Sequence, residues 1–205
     1  MSDLSAPRFT AGEALERLRA GNARFVAGTA RFPTVQKEVL AALAKGQSPY
    51  ATILGCSDSR VPPELLFDAG FGELFIVRLA GNVISPEVTG TFQYAGTHLR
   101  TPLFLVLGHE ECGAVKAALD VKFRGARERS RIEALLQGIL PGLEGIDPSA
   151  SPEDQLRAGV EANVRWTIRQ IMETPEAQAR AAEGLLQFHG AVAEITTGRV
   201  RFLDP

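Results

Sequence analysis

Three short runs, at residues 50–55, 74–79 and 103–108, are apolar almost throughout and rich in Ile, Val, Leu and Phe. Each has the length of one strand, and none alternates polar with apolar residues. A strand of this kind needs cover on both faces, which antiparallel sheets with one wet side do not provide. The runs therefore specify a parallel sheet held between layers of helix. The intervals between them leave room for crossovers, and residues 87–99 read as one crossover helix. The fold class is α/β: a mostly parallel central sheet flanked by helices, with an N-terminal helical arm and a C-terminal hairpin at a sheet edge. We expect a single domain over 1–205, with the arm at 1–45 and the core at 46–205.

Helix signals frame this sheet. Thr10 and Glu13 have capping-box spacing, and Leu15, Leu18 and Phe25 follow at helical intervals. A second helix is expected over 35–44, with Gly46 as its stop. Ser151-Pro152-Glu153 and Thr174-Pro175-Glu176 each set an N-cap residue before Pro and an acid. Val160, Val164, Ile168 and Ile171 form one helical stripe. Residues 191–195, the turn Thr196-Thr197-Gly198 and residues 200–203 read as the closing hairpin. The polar stretch 124–130, with Gly125, is the expected mobile loop.

The charge balance, 22 Lys plus Arg against 24 Asp plus Glu, excludes a general nucleic-acid binder. No apolar run reaches the ~18 residues of a spanning helix. Asp3, Arg8, Glu13, Glu16 and Arg17 interrupt the first twenty residues as no secretory signal would be interrupted. A cytoplasmic protein without membrane or nucleic-acid partners is expected. Its 2 cysteines, Cys56 and Cys112, are too few to staple a secreted fold. They can be core residues, a disulfide, a redox couple or metal ligands.

Their placement favours metal. Cys56 follows the first strand directly, and His109 follows the third, with Cys112 three residues later. In a parallel sheet both positions lie at carboxyl ends of strands, where open sheets form ligand crevices. Two thiolates and one imidazole make a Zn2+ set that leaves the fourth tetrahedral position open, as in catalytic sites. Asp58 and Arg60 follow Cys56 at steps of two, so in an extended segment all three share a face. Arg60 can clamp the carboxylate bidentately and keep it ionised. Ionised, Asp58 only accepts hydrogen bonds, so it can take one from a water or hydroxide on the zinc. It can alternatively rotate onto the metal as the fourth ligand.

Cys56-Ser57-Asp58-Ser59-Arg60-Val61-Pro62-Pro63-Glu64 and Gly108-His109-Glu110-Glu111-Cys112-Gly113-Ala114-Val115 resemble the two signature motifs of beta-class carbonic anhydrases. The resemblance extends to Ala80-Gly81-Asn82, Glu161-Ala162-Asn163-Val164 and Gly190-Ala191-Val192, and covers the chain from Thr10 to Leu203. It implies one Zn2+ per subunit on Cys56, His109 and Cys112, and Asp58 with Arg60 as the catalytic dyad. It implies reversible hydration of carbon dioxide to bicarbonate and a proton through zinc-bound hydroxide. It also implies an obligate homodimer or a dimer of dimers, with the site at the dimer interface and N-terminal helices wrapping the partner.

The family has two subtypes. One carries a Trp three residues before the first Cys ligand, marking a non-catalytic bicarbonate pocket; that position here is Ile53. The other carries a Gln nine residues before it, which here is Gln47. Phe75, Ala80, Tyr94 and Gly113 match the positions lining that subtype's carbon dioxide pocket, so the resemblance favours the open, water-bound form. Glu110 and Glu111 depart from the small or varied residues common between the His and Cys ligands, and no histidine stands out as a proton shuttle. Two rivals share the same residues: hydrolysis of a related heterocumulene such as carbon disulfide, and a silent, zinc-stabilised interaction protein. Intact Gln47, Asp58 and Arg60 argue against the second.

Overall fold

Ala51–Gly55 (β1) and Leu103–His109 (β3) are buried along their whole length, as strands without alternation require. The computed structural model describes residues 9–31 and 37–204. β1 lies between Leu74–Arg78 (β2) and β3, pairing with both in parallel: Ile53 stands opposite Ile76 on one side and Leu105 on the other. Gln187–Ala193 (β4) continues the sheet parallel to β3, and Val200–Phe202 (β5) closes the edge antiparallel to β4. The order is β2-β1-β3-β4-β5. From β1 the chain steps to one side for β2, then returns past β1 for β3. The carboxyl ends of β1 and β3 therefore border a topological switch point, where open sheets leave a crevice.

The sheet separates two apolar layers. On one face Leu54, Phe104, Val106 and Val192 pack with helices Gly113–Arg124 (α5), Arg131–Ile139 (α6) and Pro152–Met172 (α7). Val160 and Val164 of the expected α7 stripe are buried there. Gly108 in β3 and Gly190 in β4 permit the close approach, since a Cβ on either would stand 2.7 or 2.9 Å from Val164.

The other face is covered mainly by Ala11–Val26 (α1), whose Ala14 and Leu18 are fully buried against Ile53, Leu105 and Leu107. The Thr10–Glu13 capping box forms as expected. Buried Asn22 donates to the carbonyls of Leu66 and Gly198 and accepts from the Val200 amide. Buried Asp68 accepts from Arg24 Nε at 2.6 Å and from the Arg31 amide at 2.8 Å. The first helix of the arm is thus fastened to this chain's own sheet.

Several boundaries differ from the sequence expectation. Of the second helix, Lys37–Leu43 (α2) is seen, and Val35 and Gln36 lie outside the described residues. The crossover helix is Pro86–Tyr94 (α4), started by the Ser85 cap and Pro86, after which Ala95–Leu99 widens into a π-turn ended by left-handed Arg100. A short helix, Pro63–Leu66 (α3), follows β1. β4 begins at Gln187, four residues before the expected 191, because its exposed Gln187 and half-buried His189 disguise the strand. The expected loop at 124–130 starts inside α5: Arg124 pairs with Asp120 at 3.0 Å and donates to Gln155 at 2.8 Å. Pro175–Ala182 (α8) starts at its Thr174 cap. Among the described residues no helix is long and apolar enough to cross a membrane.

Candidate metal centre

β1 ends at Gly55, so the next residue, Cys56, leaves the sheet at its carboxyl edge. His109 is the last residue of the neighbouring β3. The chain then turns through Glu110 and left-handed Glu111 (φ 54°), and Cys112 caps α5. This turn folds Cys112 back towards the strand ends. The sulfurs of Cys56 and Cys112 and a ring nitrogen of His109 all lie within 4.8 Å of one another, and all three residues are buried. Both thiols are free, which removes the disulfide alternative.

The imidazole is oriented by its own backbone neighbour. His109 Nδ1 lies 2.7 Å from the Glu110 carbonyl, which fixes the proton on Nδ1 and leaves the Nε2 lone pair available. Nε2 is buried and has no hydrogen-bond partner among the described residues. A buried polar atom left this way costs on the order of 1–3 kcal/mol, so the site is incomplete as a purely organic cluster.

The thiols point the same way. Cys56 is held down to about 4, first by the hydrogen bond from Cys112, with His109 and the Gly81 amide adding to it against the penalty of burial. That same bond, burial and the adjacent thiolate push Cys112 well up. Without a cation the pair supports one negative charge, and a second thiolate needs a positive partner. The donor set and the orphaned Nε2 fit a tetrahedral, thiolate-tolerant dication.

Asp58 and Arg60 form the expected bidentate pair: Nε donates to Oδ1 at 2.9 Å and Nη2 to Oδ2 at 2.8 Å. The Arg60 amide also donates to Oδ1 at 2.9 Å. The guanidinium holds the Asp58 carboxyl well below the usual carboxylate range. Asp58 Oδ2 stands 3.9 Å from His109 Nε2, beside the ligand cluster.

The other expected residues are more scattered. Phe75 in β2 and half-exposed Tyr94 at the end of α4 pack ring against ring at 6.2 Å. Ala80 opens the turn Ala80–Asn82, and Gly113 is the exposed first residue of α5. Gln47 is exposed in the loop before β1. Glu110 is engaged elsewhere: its Oε2 accepts from the Ile195 amide at 3.2 Å, pinning the β4–β5 hairpin.

Two supports carried no function in the sequence reading. Arg78 donates to the Cys56 carbonyl at 2.9 Å and to the Asp58 carbonyl at 2.6 Å, gripping the loop that presents both. Asn163 reaches from α7 to the Gly81 carbonyl at 2.8 Å. Each had a signal, as a charge ending an apolar strand and an amide on a buried helix face.

The carbonic anhydrase family model matches residues 51–200, which include the whole ligand cluster and the Asp58–Arg60 pair. A carbonic anhydrase of Mycolicibacterium smegmatis is 39% identical over 91% of this chain and 90% of its own. Carbonic anhydrase 2 of Mycobacterium tuberculosis is 38% identical over 93% and 92%. Among solved structures, the beta-carbonic anhydrase CcaA superposes with a TM-score of 0.74 at 26% identity, over 93% of this chain and 92% of that one. A tetrameric beta-carbonic anhydrase of Sordaria macrospora superposes with a TM-score of 0.75 at 25% identity, over 91% and 94%. A buried Cys-His-Cys cluster at the switch point of a mostly parallel sheet thus coincides with likeness along nearly the whole chain, and the chain belongs to the beta class of the carbonic anhydrase family.

Proposed function

We propose that the protein hydrates carbon dioxide reversibly to bicarbonate and a proton, with one Zn2+ per subunit held by Cys56, His109 and Cys112. The observation that carries this is His109 Nε2, buried beside two free thiols and without a hydrogen-bond partner among the described residues, while Nδ1 donates to the Glu110 carbonyl. Bound there, zinc supplies the Lewis acidity that makes water a usable nucleophile near neutral pH.

The chain's own residues supply the orientation. Carbon dioxide is small and apolar and offers little binding energy, so the rate depends on a correctly held nucleophile. Asp58, ionised and clamped, accepts a hydrogen bond from the attacking water and keeps an oxygen lone pair directed at the substrate. Arg60 prevents Asp58 from taking up that proton. Phe75, Ala80, Tyr94 and Gly113 furnish the apolar wall for the substrate, and the Gln47 amide, reaching across from a partner subunit, donates to a substrate or product oxygen. With both Asp58 oxygens engaged by Arg60, the arrangement supports the open subtype, in which Asp58 stays off the metal. Product protons leave to buffer.

A homodimer or dimer of dimers accounts for exposed Tyr94, Phe71 and Leu65, and the Sordaria relative is tetrameric. A cytoplasmic location fits the sequence. Stopped-flow hydration of carbon dioxide, run with a metal count, tests the assignment. One zinc per chain with rapid hydration is expected, and His109→Ala should lose both. Zinc-loaded protein that ignores carbon dioxide, or that turns over carbon disulfide instead, would overturn it.

A further inference from the structure

Cys56 Sγ accepts a hydrogen bond from the Gly81 amide at 3.3 Å. Gly81 has a left-handed backbone (φ 66°), and a Cβ there would lie 2.7 Å from Ile139 and 3.0 Å from Ala114. Only glycine fits, yet glycine is the residue least able to hold one conformation by itself. Something else must keep its N–H on the sulfur.

The holder is α7. Asn163 Nδ2 donates to the Gly81 carbonyl at 2.8 Å, and Thr167 Oγ1 donates to the Asn82 carbonyl at 3.1 Å. The two residues are spaced by four, so they lie on one face of the helix, and both are 1% exposed. Asn163 is buried on α7 together with apolar Val160 and Val164. Its Oδ1 is buried and unpartnered among the described residues. A group kept there against that penalty has its one hydrogen bond directed at the turn beside the metal centre.

We propose that Asn163, assisted by Thr167, is a positioning residue for Cys56. By anchoring the carbonyl side of Gly81 it fixes the direction of the Gly81 N–H, which aims the sulfur and withdraws electron density from it. The donor strength of one metal ligand is thus set from a helix on the far side of the turn. This rests on Cys56 being a metal ligand.

The test is the Co2+-substituted protein, read by its thiolate-to-cobalt charge-transfer band and by competition with a chelator. Asn163→Ala should shift the band to longer wavelength, as a thiolate freed of its hydrogen bond becomes the stronger donor, and should weaken metal binding ~10–100-fold because the sulfur is no longer held in place. Thr167→Val should shift the band the same way by less. Asn22→Ala, which removes a buried asparagine from the opposite face of the sheet, should lower thermal stability and leave the band in place. Bands at the wild-type position in both α7 variants would overturn the proposal. If Asn163→Ala does not fold, Thr167→Val alone decides by the same criterion. A wild-type Co2+ protein without a thiolate band would instead overturn the ligand assignment beneath it.

Discussion

Asp58 illustrates how much a single residue's chemistry depends on its neighbour. Alone it would be an ordinary turn carboxylate; with Arg60 on both oxygens it is a fixed acceptor beside the ligand cluster. Asp58→Ala should retain its zinc and lose about a hundredfold or more in hydration rate, a loss of the size seen when one oriented hydrogen-bonding group is removed from a site. Metal analysis beside stopped-flow kinetics checks this. The depressed carboxyl also sets a pH dependence. Its folded value lies below its unfolded one, so the ionised form favours folding: the contribution is present above about pH 4 and lost on further acidification. The pair is partly exposed, which holds that contribution under about 1 kcal/mol. The difference in urea stability between metal-free wild type and Asp58→Asn should shrink as the pH falls below about 4. Cys56, Asp58, Arg60, His109 and Cys112 were legible in the sequence because their spacing and their place after apolar runs carry the information. Arg78 and Asn163 left only a faint mark, a charge ending an apolar strand and an amide on a buried helix face. Their targets were not legible, because both act on backbone carbonyls of distant residues, and a backbone carbonyl has no letter of its own.

At the scale of elements, legibility followed burial. β1 and β3, buried on both faces, were visible as unbroken apolar runs. The early half of β4 was hidden by its surface residues, and the end of α4 by a π-turn that sequence periodicity does not distinguish from helix. The docking of α1 was visible in its stripe but not in its fastenings. Asp68, with a fully buried carboxylate, receives both Arg24 and Arg31 and so ties the arm to the loop after α3. Asp68→Ala removes the buried acceptor of these partly exposed arginines and of the Arg31 amide and should cost about 1–3 kcal/mol, seen as a lower urea midpoint.

The whole molecule is arranged around one crossing. Because the chain turns back past β1, two strand ends separated by a full βαβ excursion stand side by side, and donors from residues 56, 109 and 112 converge without a long loop. The sheet that achieves this is finished unevenly. Among the described residues β5 pairs with Ala191, Val192 and Ala193 only, so there the first half of β4 has a strand on one side alone. The Gln187 amide points into β3, on the Pro102 carbonyl, and alternation along a strand turns the Phe188 amide to the open side. Hydrogen exchange should therefore read β4 as a comb. The amides of Gln187, His189 and Ala191 should exchange slowly and that of Phe188 quickly, until β5 covers the edge and Val192 slows in turn. Uniform protection along the strand would mean that the open edge is occupied in solution.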